Sequence, residues 1–271
     1  MMKGVYARKP IRLQGTIPVF SVPHEYIENY EKISQDHLIS FRKNGLNPFI
    51  QEDLWIECEN STRKLIEKYS KRRDRILDVG CGLGRLLSPF SQLERYGLDI
   101  SFGYLKIAQS KGIEVCYSLI EDMPYMSEYF DVIVCTDVLE HVLDLNVCSS
   151  KILSVLKKGG IMIVRIPYKE DLSRYSDPSY PYKYCHMRAF DGKTLKKLFE
   201  QILGCKVLER VMTGYRPWIP RLRYKFRFPR RDTLLIRFFS AMKKRDIFFG
   251  NFLLKKLFLP VDINIVVKKK D

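Results

Sequence analysis

Three acidic residues and a run of glycines carry the first chemical signal in this sequence. Ile76-Leu77-Asp78-Val79-Gly80-Cys81-Gly82-Leu83-Gly84 is an apolar stretch that runs into a glycine-rich turn. Glycines let a backbone approach a ligand where any side chain would intrude. A helix N-terminus behind such a turn offers free amides to an anionic group. Tyr96-Gly97-Leu98-Asp99 follows, a second stretch ending in a carboxylate 19 residues after Gly80. In a doubly wound sheet an acid at that place accepts hydrogen bonds from ribose hydroxyls. The glycines are spaced G-x-G-x-G, not G-x-G-x-x-G as a dinucleotide pyrophosphate requires, and Asp78 would welcome a cationic amine rather than a pyrophosphate. Glu121-Asp122-Met123-Pro124 then supplies a carboxylate where an adenine amino group can be met. The pattern describes a site for a nucleoside-containing cofactor.

Two of the four histidines fall where a second reactant would lie. His141 follows Glu140 just after the stretch Asp131–Thr136, and His186 sits in Tyr184-Cys185-His186-Met187-Arg188-Ala189-Phe190. Histidine titrates near neutral pH and suits the removal of a proton from an attacking hydroxyl. His141 and His186 are therefore the candidate catalytic residues, with packing at a helix start as the competing role for His141.

These residues need a scaffold, and the patterning supplies one. Short apolar runs, each long enough for one buried strand, occur at 76–79, 96–100, 114–117, 131–136 and 161–166. Helical stretches are expected between most of them, at 85–92, 104–110, 145–156 and later 193–203. Alternation of strand and helix implies an α/β fold with a parallel sheet covered on both faces. Two more strands are expected at 206–212 and 262–267. Upstream, residues 27–69 read as helices, with Asn60-Ser61-Thr62 interrupting the pattern. The expected division is an N-terminal helical cap over 1–74, a core over 75–213, an insert over 214–260 and a last core strand over 261–271.

The composition excludes several classes. A chain of 271 residues that is 46% hydrophobic and 29% charged is neither fibrous nor mostly disordered. No stretch approaches the roughly 20 apolar residues of a membrane-spanning helix. No apolar run follows the basic N-terminus, so a cytoplasmic location is expected. The seven cysteines are scattered and never spaced C-x-x-C, which argues for reduced thiols. The net charge of +16 is local: between Thr213 and Val261 thirteen basic residues stand against Asp232 and Asp246, a net +11. Leu234, Leu235, Phe238, Phe239 and Met242 share one helical face there, closed by Lys243, Lys244 and Arg245. A basic amphipathic segment of this kind suits an anionic membrane surface. Packing on the core or on a second subunit is the plainer alternative. RNA is the third, since Tyr215, Trp218, Tyr224, Phe226 and Phe228 alternate with arginines.

The chain resembles the S-adenosylmethionine-dependent methyltransferases with a Rossmann-like core. The resemblance covers roughly 75–212 and rests on ILDVGCGLG, YGLDIS, EDMPY, FDVIVCTDVLEHV and LKKGGIMIVRIPY in that order. It implies a mostly parallel seven-stranded sheet whose last strand, near 262–268, is antiparallel. It implies S-adenosyl-L-methionine as cofactor, with Gly80 and Gly82 beside the methionine part and Asp78 near its amino group. By the same resemblance Asp99 takes the ribose diol, Ile100 packs beside adenine, Asp122 and Met123 contact the ring, and Cys135 or Thr136 lines the path to the sulfonium. Asp137-x-x-Glu140-His141, with His186, looks like the acidic clusters of ubiquinone-biosynthesis O-methyltransferases and small-RNA terminal 2′-O-methyltransferases. Such groups suit Mg²⁺, Mn²⁺ or Zn²⁺, but a further acidic ligand has no place in the sequence, and catalysis without a metal is the expectation. The expected function is O-methylation of a small or lipid-linked acceptor, of glycan or quinone type, near the inner face of a membrane. The alternatives are an RNA methyltransferase that binds through the insert, and a nucleotide-cofactor oxidoreductase or non-catalytic binding module on the same fold.

Overall fold

The computed structural model of the protein describes residues 4–217 and 258–270. Ile76, Leu77, Asp78 and Val79 are all buried, as a central strand covered on both faces requires. They belong to β3 (Arg75–Val79), the middle of a sheet that holds nine strands among the described residues. The preceding elements are β1 (Arg12–Gln14), β2 (Ile17–Val19), α1 (Glu25–Asn44) and α2 (Glu52–Tyr69). After β3 come β4 (Glu94–Asp99), α3 (Phe102–Ser110), β5 (Glu114–Tyr117), β6 (Phe130–Thr136), α4 (Leu145–Val155) and β7 (Leu156–Pro167). The chain continues through α5 (Gly192–Lys196), extended by a π-helical turn over Lys197–Ile202, to β8 (Lys206–Thr213), β9 (Arg216–Pro217), β10 (Phe258–Leu259) and β11 (Asp262–Lys268).

The spatial order is β1-β2-β5-β4-β3-β6-β7-β11-β8. The strands from β5 through β3 to β7 pair in parallel, whereas β11 lies antiparallel to both β7 and β8. The order reverses at β3, so the carboxyl ends of β3, β4 and β6 open onto one crevice, where such sheets bind ligands. One apolar cluster on each face of the sheet forms the core.

Three features differ from the patterning. The N-terminal 74 residues are not helical throughout, because β1 and β2 form a hairpin that continues the sheet past β5 through Val19 beside Tyr117. No helix follows the glycine turn: residues 85–92 form turns only, with the Ser88 amide donating to Gly84, and Pro89 has no N–H with which to extend them. Asn60-Ser61-Thr62 does not interrupt α2. The Thr62 hydroxyl lies 3.2 Å from the Cys58 carbonyl and 2.8 Å from Asn264 Oδ1, and Asn264 Nδ2 donates to Ser61. Polar residues that compete with a helix in isolation are thus satisfied by β11.

Of the insert, the described parts are its two ends. There β9 and β10 pair antiparallel, Arg216 opposite Leu259. The faces read at 218–257 lie outside the described residues.

Candidate active site

The glycine turn leaves β3 with Gly80 at φ +73° and Gly82 at φ +49°, backbone that favours glycine. A Cβ at Gly80 would come within 2.3 Å of Val138 Cγ2, whereas one at Gly82 would meet nothing within 4 Å. The open side of the turn at Gly82 is therefore a cradle that a side chain would begin to fill. The Gly82 amide donates to Asp99 Oδ2 at 2.8 Å, and the Ser101 amide donates to Asp99 Oδ1 at 2.9 Å. Asp99 thus joins the ends of β3 and β4. Burial raises its carboxyl to about 6, against the lowering effect of those amides.

Asp78 is 2% exposed and its Oδ1 is buried without a hydrogen-bond partner. Burial, then the charge of Asp99, pushes its carboxyl well above the ordinary range. An unpartnered buried carboxylate oxygen is costly, and an ammonium group would relieve that cost. Asp78, Gly82 and Asp99 fit an amino acid joined to a ribose.

The remaining predicted cofactor residues are less uniform. Ile100 is half-buried behind Asp99. Asp122 is exposed, and its Oδ2 accepts a 2.7 Å hydrogen bond from Ser21 Oγ, so the N-terminal segment holds it. Met123 and Cys135 are buried in the core, and burial raises the Cys135 thiol. Thr136, half-buried at the end of β6, remains nearer the surface.

His141 and His186 are far apart in sequence yet lie against one another, ring centroids 4.4 Å apart and nearly perpendicular. His141 sits in a turn before α4, not at a helix start. Its Nδ1 lies 3.0 Å from the Tyr30 hydroxyl and its Nε2 lies 3.9 Å from Glu140 Oε1. Burial, then His186, depresses it to about 3, so it is neutral at working pH. His186 Nδ1 is hydrogen-bonded to Glu170 Oε2, and Glu170 also accepts from the Tyr175 hydroxyl at 2.8 Å. The Tyr175 ring stacks on His186 at 4.8 Å.

Glu140 is 1% exposed, and neither carboxylate oxygen has a hydrogen-bond partner. Burial and the charge of Asp137 push it well up. Ligand atoms of Glu140, His141 and His186 lie within 4.8 Å of one another, so this trio can hold a cation. Asp137, the first acid of the Asp137-x-x-Glu140-His141 pattern, does not join them. It is paired with Arg165, which also meets Asp262 at 3.5 Å, in a network at the ends of β7 and β11 that is buried at Arg165 and Asp262 and half-open at Asp137.

Helix α1 lies over this edge. The Ser101 hydroxyl is 2.7 Å from that of Ser34, Glu31 Oε1 accepts from the Phe102 amide, and Tyr30 reaches His141. The loop 168–190 closes from the other side: Asn29 Nδ2 donates to the Tyr184 carbonyl at 2.7 Å and the Tyr184 amide donates back at 3.1 Å. His37, on the inner side of α1, is buried with its Nδ1 2.6 Å from the Tyr104 hydroxyl. Glu170, Tyr175 and Ser21 were not singled out by sequence. Sequence position alone does not separate Glu170 from Asp171 and Asp177, which lie in the same stretch between β7 and His186.

Strand order, reversal point, acid-tipped second strand and glycine cradle together define a Rossmann-like fold. Residues 77–164 match the family described as "Methyltransferase domain", and S-adenosyl-L-methionine is the cofactor that the match implies. A ubiquinone biosynthesis O-methyltransferase of Nitrobacter winogradskyi is 33% identical over 161 residues, 54% of this chain and 60% of the relative. One of Mesorhizobium japonicum is 31% identical over 160 residues, 56% and 52%. An uncharacterized protein of Methanocaldococcus jannaschii is 32% identical over 109 residues, 40% and 48%. The chain thus spans about half the length of the curated relatives it matches. A solved structure from Thermotoga maritima, described as a SAM-dependent methyltransferase and possible histamine N-methyltransferase, shares the fold. Its TM-score is 0.56 at 17% identity, over 90% of this chain and 99% of the other.

Proposed function

We propose that the protein transfers the methyl group of S-adenosylmethionine to a hydroxyl of a small or lipid-linked acceptor, of glycan or quinone type, at an anionic membrane surface. The observation that carries the reading is on α1. Tyr30 and Ser34, one helical turn or about 6 Å apart, touch His141 and Ser101, so one helix ties the candidate proton-handling pair to the ribose-binding corner. Displacement at a sulfonium needs alignment and exclusion of water, which α1 and the loop 168–190 supply. Proton removal falls to His186. Its Nδ1 is committed to Glu170, a carboxylate that only accepts, so the neutral ring carries its lone pair on Nε2. His141, held near 3, is too weak a base for that role and shapes the pocket with Tyr30. The acceptor hydroxyl gives its proton to His186 as its oxygen takes the methyl group, leaving S-adenosylhomocysteine. Curated relatives named as O-methyltransferases support oxygen as the acceptor atom.

A second reading is favoured by the unpartnered, buried Glu140. With His141 and His186 it would hold a divalent cation, which would acidify and orient the acceptor hydroxyl. Full turnover after chelation overturns this second reading.

The first test compares S-adenosylhomocysteine with NAD by calorimetry, expecting binding of the former alone; binding of NAD instead would reassign the fold to redox chemistry. The second follows labelled methyl transfer to quinone precursors and lipid-linked glycans, where N-methyl products would overturn the acceptor assignment.

A further inference from the structure

The elbow between α1 and α2 is apolar on the outside. Ile39 and Leu46 are 60% and 58% exposed, and Phe49 and Ile56 are more than 40% exposed. The inner side of α1 is already used, by Tyr26, Ile27, Ser34 and His37. Ile39, Arg42 and Lys43 stand three and four residues apart, on one helical face. From His37 to Gln51 there is no acidic residue. Exposed apolar side chains grouped in this way mark an interaction surface, and basic flanks select an anionic one.

The position of the elbow is specific. Phe49 packs on His37 and on Tyr182 of the closing loop, with ring centroids 6.1 and 6.2 Å apart. Arg216, at the root of the insert, lies 3.5 Å from both Asp53 and Glu57 of α2. The strongly basic segment, net +11, therefore leaves the body of the protein beside the elbow and at the same end of α2 as Ile56.

We infer that this elbow is a membrane-docking knob: Ile39 and Leu46 enter the interfacial layer of an anionic bilayer while Arg42 and Lys43 meet its headgroups. The inference rests on the membrane-surface part of the proposed function and adds where contact is made. Apolar side chains buried at the interface and basic residues at anionic headgroups act together in such segments. Docking here turns the closing loop, and with it the acceptor pocket, towards the lipid layer.

The test is co-sedimentation of the full chain with vesicles of equal parts phosphatidylglycerol and phosphatidylcholine, beside the double variant Ile39→Ser with Leu46→Ser. Charge is unchanged and both side chains are mostly exposed, so S-adenosylhomocysteine affinity and melting temperature should hold. Partition should fall roughly tenfold. A separate Leu46→Trp variant should show a blue-shifted indole emission on these vesicles. Failure of the unaltered chain to bind the vesicles overturns the membrane reading and this inference together. Binding that the double variant retains in full overturns the inference alone, as does an unshifted emission from the Leu46→Trp variant or equal binding to pure phosphatidylcholine. Loss of a dimer in the double variant, with vesicle binding intact, would instead assign the face to a second copy.

Discussion

Asp99, the candidate ribose-binding acid, is tuned by where it sits. Two amides favour its charged form, yet burial prevails and raises it to about 6, above the ordinary aspartate value of about 3.9. Only the ionised carboxylate accepts from both hydroxyls of a diol. Affinity for S-adenosylhomocysteine should therefore rise with pH through about 6, measured by calorimetry, and the rise should vanish in Asp99→Asn. Asp99→Ala should abolish measurable binding without changing the circular dichroism. The sign for stability is opposite: the folded state holds a proton that the unfolded chain releases near 4, so this group costs stability as pH climbs from about 4 to about 6. Glu170 acts on the acceptor side through His186, whose ring it orients. Glu170→Ala should leave cofactor affinity unchanged and slow methyl transfer by roughly 10–100-fold, the usual cost of losing a carboxylate that orients a functional histidine.

Strands β6, β7 and β11 are tied at their ends by Arg165. Arg165 is 2% exposed, its guanidinium lies between Asp137 and Asp262, and burial raises Asp262 to about 6 despite that cation. Replacing the arginine by methionine keeps the side chain long and apolar and leaves the acids without a cation. Arg165→Met should cost about 3–5 kcal/mol. The loss should be smaller at about pH 5 than at about pH 8, because a carboxyl buried without its cation binds a proton more tightly folded than unfolded. Thermal melts at the two pH values check both the size and the sign. The same network shows why a sequence motif can mislead. Asp137 has the spacing of a metal ligand, but Arg165 arrives from a strand 28 residues away and takes its carboxylate.

At the scale of the whole chain, the excess positive charge is concentrated in one stretch of sequence, 214–260. The insert begins and ends in the β9–β10 pair, whose root touches α2 beside the elbow. Replacing 216–259 by a short glycine linker should leave S-adenosylhomocysteine affinity intact and abolish sedimentation with anionic vesicles. In the unaltered chain that sedimentation should weaken as salt is raised, since exposed charges are screened over about 8 Å at physiological ionic strength. Among the described residues no helix is long and apolar enough to cross a membrane, which agrees with the hydropathy of the sequence.

Local pattern was sufficient for the parallel core, because each buried strand must be apolar on both faces and each glycine in the turn needs a conformation that other residues avoid. The strands from Arg75 to Pro167 fall where the apolar runs do, and Gly80, Gly82, Asp78 and Asp99 meet at one corner as their order along the chain implies. Pairings between distant segments left no such mark. Ser21 takes the carboxylate of Asp122 across 101 residues, Tyr30 reaches His141 across 111, and Asn264 sustains α2 through Thr62 across 202. The hairpin at 12–19 joins the sheet through three-residue strands, too short for an alternating pattern to declare itself. Sequence determined the strands of the parallel core and the meeting of the glycine turn with Asp99, since those depend on local backbone preference and burial. Tertiary structure decided which acids stay unpartnered, which histidine has a carboxylate behind it and which apolar face meets solvent, because those depend on what each side chain finds across the fold.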